Sequence, residues 1–330
     1  MRLVTFKSGS ALAAPRVGAM LGDESVVDLA DAMYLRLCAN GLTEAASRRV
    51  AEALIPPDMT AFLEGGETSD RAARDALGWA ADHRASAAVH ARDAVRLLAP
   101  VPRPPTFRDG NFFEGHTRAA AARMGGEIHP NWFRIPAFYK GTPSSIGGPQ
   151  DAVRIPPYTQ ALDYEFEYAV VIGRRGRDIA AADAWRHIAG LMILNDFSAR
   201  DQQGVEMPLL MGPAKGKDFD GGTVTGPYLV TLDEIVDVEH LRIVGRVNGE
   251  VVCEASSGDA HWKWPEVIAY VSRSETLLPG DIVASGTVPG GSRLESGAGY
   301  LSPGDVVEEE VSNLGILRTE IAAASEVILA

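Results

Sequence analysis

The first hundred positions hold three short β-rich apolar runs, Leu3–Phe6, Val17–Leu21 and Val26–Leu29, broken by Gly, Ser, Pro and Asp. Such runs between turn formers predict strands. From Leu29 to His90 the pattern turns helical, Ala-rich and charged, with a break at Pro56-Pro57 and a stop at Glu64-Gly65-Gly66. Val95–Leu98 returns to a strand pattern. Pro100-Val-Pro-Arg-Pro-Pro105 then places four prolines in six residues. Proline has no amide for a ladder and stiffens a connection, so a boundary is expected here. The division expected is an accessory α+β unit over 1–100 and a second unit over 106–330.

Beyond the prolines, Gly and Pro become frequent and helical windows few: Phe113–Met124, Ala181–Met192 and Pro265–Arg273. Strand patterns fall at Tyr164–Ile172, Leu191–Asn195, Pro227–Thr231, Ile282–Ser285, Val306–Val311 and Leu317–Ile321. Arg242–Val247 and Val251–Glu254 flank Asn248-Gly249, a hairpin signal because both residues tolerate positive φ. Strands and helices do not alternate regularly, which argues against a doubly wound parallel sheet and for an α+β fold.

Composition narrows the class. The 330 residues carry 31 Lys and Arg against 44 Asp and Glu, a net charge of −13. So acidic a chain lacks the footprint for nucleic acid or anionic lipid. Two cysteines, Cys38 and Cys253, make no disulfide framework and no Cys-x-x-Cys pair. No apolar run approaches the roughly 20 residues of a membrane span, and Met1–Lys7 does not read as a signal peptide. A cytoplasmic protein is expected.

Candidate chemistry starts at Asp163-Tyr-Glu165-Phe-Glu167, which runs into an apolar strand. Glu165 and Glu167 share one face and Phe166, Tyr168, Val170 and Ile172 the other. Two adjacent carboxylates are either a solvated strand face or the oxygen ligands of a hard divalent cation. Leu191–Leu194 ends at Asn195-Asp196, where Asp196 is a helix N-cap or a third carboxylate, with Arg200 and Gln203 following to meet a ligand's carboxylate or carbonyl. Gly212–Asp220 has the wrong glycine spacing for a phosphate loop and an aspartate in place of its Ser/Thr. Lys217 there is a solvated loop lysine or a charge for a developing oxyanion. Among seven histidines none has zinc spacing; His116, with Asp109 and Glu114 close in sequence, is the candidate general base.

Asp163–Glu167, Asn195–Gln203, Gly212–Asp220 and Leu277–Thr287, with the stretches around His116 and Trp132–Lys140, resemble in matching order the fumarylacetoacetate hydrolase family. The resemblance implies a mixed β-roll catalytic domain that binds Mg²⁺, Mn²⁺ or Ca²⁺ and forms a homodimer. It implies metal ligands at Glu165, Glu167 and Asp196, with Asp109 a fourth. His116 would activate water, oriented by Glu114 or Glu295. Lys217 would steady a carbanion, and Tyr139, Arg200, Gln203 and Thr287 would hold substrate. Gly110-Asn111 stands where the family often has aromatics, so a roomier or more polar acyl pocket is expected; with Gly221 where a threonine is common, this turns the expectation away from fumarylacetoacetate itself. The expected reaction is hydrolysis of a C–C bond in a 1,3-diketo acid such as an acylpyruvate, as in aromatic compound catabolism. The alternative is decarboxylation, tautomerisation or dehydration of a 2-keto acid at the same site.

Overall fold

The computed structural model describes residues 1–9, 12–123 and 125–324. Its first third follows the apolar pattern closely. Strands β1 (Arg2–Ser8), β2 (Arg16–Met20) and β3 (Ser25–Asp28) form a meander. Helices α1 (Leu29–Ala39), α2 (Glu44–Leu54), α3 (Met59–Glu64) and α4 (Gly66–Asp82) then lead to β4 (Val89–Ala91) and β5 (Val95–Leu97). Asp28, Thr43 and Asp58 start α1, α2 and α3 by accepting the amides of Asp31, Ala46 and Ala61, which satisfies donors a helix start leaves open.

The rest is mostly strand. It begins with β6 (Phe107–Gly110), α5 (Glu114–Arg123), β7 (Phe138–Gly141), β8 (Ile146–Gly147), β9 (Val153–Arg154) and β10 (Leu162–Asp163). It continues with β11 (Phe166–Ile172), β12 (Gly176–Arg177), β13 (Ile188–Asp196), β14 (Ser198–Ala199), α6 (Arg200–Glu206) and β15 (Thr223–Thr231). The Asn248-Gly249 turn joins β16 (Arg242–Val247) to β17 (Glu250–Ser256), both turn residues at positive φ as expected. Then come α7 (Trp264–Val271), β18 (Thr276–Leu277), β19 (Ile282–Ala284), α8 (Arg293–Ser296), β20 (Val306–Val311) and β21 (Gly315–Ala322).

The helix expected over Ala181–Met192 is corrected. A 3₁₀ turn covers Ala181–His187, and β13 starts at Ile188. Leu191–Leu194 is apolar at every position because β13 is buried on both faces between β11 and β15, and such a run carries no period. The helix expected over Phe113–Met124 spans Glu114–Arg123, and Met124 lies outside the described residues.

One large sheet runs β4-β3-β2-β1-β15-β13-β11-β19-β6-β7, mixed because β19 and β6 are parallel. The N-terminal strands join it through β1, whose Leu3 lies opposite Leu229 of β15. A second sheet, β17-β16-β20-β21-β9, covers one face. Phe166, Tyr168, Val170 and Ile172 pack there with Ile243, Val247, Val307 and Leu317. The opposite face, with Ala169, Val171, Met192 and Ala284, shares a cluster with Met33, Phe62 and Ala76 of the helices. Alternate residues of β11 therefore serve two cores.

Gly245 makes the sheet contact close. A Cβ there would lie 2.0 Å from a Phe166 ring carbon. Gly245→Ala is therefore expected to lower stability by about 2–3 kcal/mol through overpacking. Gly78→Ala, exposed on α4 with nothing within 4 Å of its Cβ, should raise it by about 0.5–1 kcal/mol. Urea denaturation midpoints of the two variants check the contrast.

Candidate metal centre

The centre of the large sheet delivers the acidic residues. Glu167 lies on β11 and Glu165 just before it, Asp196 ends β13, and Asp109 sits on β6. Asp109, Glu165 and Glu167 are buried, and one carboxylate oxygen of each lies within 4.8 Å of the others. Asp196 is fully buried beside them and differently engaged. It accepts from Tyr139 Oη at 2.7 Å and Thr223 Oγ1 at 2.8 Å, and Lys217 Nζ lies 2.5 Å from its Oδ2. The close trio thus contains Asp109, expected as the fourth ligand, and Asp196, expected as the third, lies beside it with its oxygens on Tyr139, Thr223 and Lys217.

Charge shows what the trio fits. Asp109, Glu165, Glu167 and Asp196 are four buried carboxylates facing two buried cations, Lys217 and Arg200. Lys217 also touches Glu165. Arg200 lies 2.8 Å from Glu165 and shares itself with Asp163 at 2.9 Å. Burial raises the Glu165 carboxyl, but Arg200 and Lys217 outweigh it and hold the group well below the usual carboxylate range. Burial disfavours the Lys217 charge, yet Asp196 and Glu165 keep its ammonium above an ordinary lysine.

The other two carboxyls are pushed up. Asp109 rises well above its usual value through burial and Asp196, and Glu167 through burial, Asp109 and Glu165. Asp109 Oδ1 is buried without a hydrogen-bond partner. A surplus of buried carboxylates over the two cations, with an orphaned oxygen on Asp109, fits a hard divalent cation. Glu167 is itself held by the Gly286 amide at 2.9 Å and Thr287 Oγ1 at 3.4 Å.

A cavity of about 330 Å³ opens onto these groups, lined in part by Asp109, His116, Tyr139, Glu165, Gln203, Lys217 and Thr287. His116, on α5, is 8% exposed. Its Nδ1 lies 2.8 Å from Glu295 Oε1, and Glu295 Oε2 accepts the Gly290 amide at 2.8 Å. Glu114 is not its partner: it pairs with Arg118 one turn along α5. Glu295 is the residue that orients the histidine, and 179 residues separate the two, so no local spacing reveals it.

Arg200 is engaged with protein groups beside the cavity: Asp163, Glu165 and the Gln203 side-chain carbonyl, which accepts its Nη1 at 3.0 Å. The space left by the missing side chain at Gly110 is filled, since a Cβ there would fall 2.2 Å from the Phe112 ring. Tyr139, Gln203 and Thr287 do border the cavity. Lys217 is 3% exposed, so the solvated-loop reading fails.

Residues 106–322 match the family model described as fumarylacetoacetate hydrolase, C-terminal. The mitochondrial oxaloacetate tautomerase FAHD2A of Bos taurus is 34% identical over 327 residues, covering 97% of this chain and 91% of the relative. The oxaloacetate tautomerase YisK of Bacillus subtilis is 30% identical over 311 residues, covering 92% and 95%. Among solved structures, the fumarylacetoacetate hydrolase of Exiguobacterium antarcticum superposes with a TM-score of 0.70 at 26% identity, covering 98% and 99%. The maleylpyruvate hydrolase of Sphingobium sp. SYK-6, solved with manganese(II) and pyruvate, shares the fold with a TM-score of 0.71 at 24% identity, covering 98% and 100%.

Proposed function

The chain belongs to the fumarylacetoacetate hydrolase family, and on that premise we propose that it is a divalent-metal-dependent tautomerase of oxaloacetate or a closely similar 2-oxo dicarboxylate. The observation that carries this over C–C bond hydrolysis is the set of relatives. Proteins with 30–34% identity over 92–97% of the chain are oxaloacetate tautomerases, so the alternative drawn from the sequence displaces its leading reading.

Asp109, Glu165 and Glu167, together with Asp196 beside them, would hold Mg²⁺ or Mn²⁺. The ion, when bound, supplies Lewis-acid polarisation of a 2-oxo group. The remaining steps fall to the protein. Keto–enol exchange moves one proton off the carbon next to the carbonyl and one onto its oxygen. His116 would make the first transfer: an ionised Glu295 beside Nδ1 at 2.8 Å favours the tautomer with the proton on Nδ1, so that Nε2 accepts. The Lys217 ammonium, held charged by Glu165 and Asp196, offsets negative charge developing on the oxygen. Gln203 and Thr287 border the cavity to orient the carboxylates.

Ketonisation of freshly dissolved enol-oxaloacetate, followed by ultraviolet absorbance with Mg²⁺ or Mn²⁺, tests this. Acceleration well above the metal-only rate is expected, with no ¹⁸O taken from labelled water into a released acid. Hydrolysis is the second reading, because His116 and Glu295 would serve equally to activate water. Labelled acid from acylpyruvates, with no acceleration of ketonisation, would overturn the tautomerase in its favour.

A further inference from the structure

Helix α6 ends in a carboxylate that faces inward. Glu206 is 8% exposed, and four hydrogen bonds fill both its oxygens. Oε1 accepts from Gln202 Nε2 and the Lys215 amide, each at 2.9 Å; Oε2 accepts from the amides of Ala214 at 2.7 Å and Gly216 at 3.0 Å. One side chain thus ties the end of α6 to three successive amides across the loop 207–213. A neutral amide in its place would turn an N–H donor toward amides that are donors themselves.

What flanks this clamp bears on the cavity. Gln203 lies one turn earlier on α6, and Lys217 directly follows the last clamped amide. Met207, Gly212 and Pro213, at the ends of the loop, line the cavity wall. Gly216 packs so tightly on α6 that a Cβ would fall 2.9 Å from the Gln203 Cα. Between the clamped ends the loop is weakly held: Leu209, Leu210 and Met211 are 70–89% exposed, and Leu210 takes a left-handed φ of 61°. The placement of Lys217 therefore depends on the 214–216 turn, and that turn is fastened to α6 by Glu206.

We propose that Glu206 is a positioning residue for the reaction, setting Lys217 against Glu165 and Asp196 by fixing the 214–216 turn on the end of α6. The inference rests on the role given to Lys217 above. Misplacing a group of this kind by an ångström costs about 10- to 100-fold in rate. In the Mn²⁺-loaded full chain, Glu206→Gln is expected to lower kcat for oxaloacetate ketonisation by that factor, with KM and Mn²⁺ affinity within about twofold. Glu206→Asp should recover part of the loss. The double variant Glu206→Gln/Lys217→Met should be no slower than Lys217→Met alone, because effects passing through one residue do not add. Unchanged kcat, a loss confined to KM, or additive losses in the double variant would each overturn the proposal. Full activity of Lys217→Met would instead overturn the role of Lys217. If Glu206→Gln fails to fold, Gln202→Ala, which removes one of the four bonds, is expected to lower kcat a few-fold with the same non-additivity; additive behaviour there counts against the proposal equally.

Discussion

Glu167→Gln is expected to weaken Mn²⁺ binding by at least about 100-fold and to lower kcat/KM on the order of 10³-fold, since a lost ligand forfeits several kcal/mol of charge stabilisation. The same change should make the metal-free protein more heat-stable. Glu167 is fully buried among Asp109, Glu165 and Asp196 and its carboxyl is pushed up by burial and by them, so at pH values where it would ionise a neutral amide relieves a repulsion. The sign of the pH effect follows. Asp109 and Glu167 have folded pKa values above their unfolded ones, so they favour the metal-free fold below the ordinary carboxylate range. That contribution is lost as pH rises through the raised values. Mn²⁺ needs both ionised, so its affinity should climb across the same window. Calorimetric titration at several pH values, with melting curves of both proteins, checks all three effects. Unchanged Mn²⁺ affinity in the variant would remove Glu167 from the site.

His116→Gln should lower kcat by about 10² to 10⁴, the range for loss of a general base, and leave Mn²⁺ affinity within a few-fold. The reason is geometric: the imidazole is anchored to Glu295 at 2.8 Å and not to the acidic trio. Glu295→Gln should move kcat in the same direction by a smaller factor, about tenfold, since an amide oxygen still accepts from Nδ1 but no longer balances a charged ring. Ketonisation rates of both variants at saturating Mn²⁺ decide the matter. Near-normal turnover by His116→Gln would take the proton transfer away from this residue.

The sequence shows what is local and hides what is not. Glu165, Glu167 and Asp196 lie at the ends of apolar strand runs, and the Asn248-Gly249 turn is written in two adjacent residues; the structure keeps both features. Asp109 was legible as an acid close to His116 and, through the resemblance, as a fourth ligand, but its place in the close trio depends on β6, a strand the pattern did not mark, lying parallel to β19. Glu114 misleads because it is near His116 in sequence; on a helix, residues two apart point in different directions. Glu295 reaches the histidine from α8, and nothing near His116 encodes that. The strand expected at Leu191–Asn195 is present, but its start at Ile188 was hidden under the helical window, since complete burial leaves the run without a period to mark where it begins.

The pairing of β1 with β15 also sets an order of events. Leu3 lies opposite Leu229, so the chain's first strand cannot settle until the ribosome has made more than two hundred further residues. At the usual 5–20 residues per second that interval is roughly 10 to 50 s. Through it β1 has only β2 and β5 beside it, and the Arg2–Leu3 end of its edge stands open to any other unpaired strand. In a crowded cell this is the interval in which a nascent copy is most exposed to chaperones, and to its own neighbours on the same messenger.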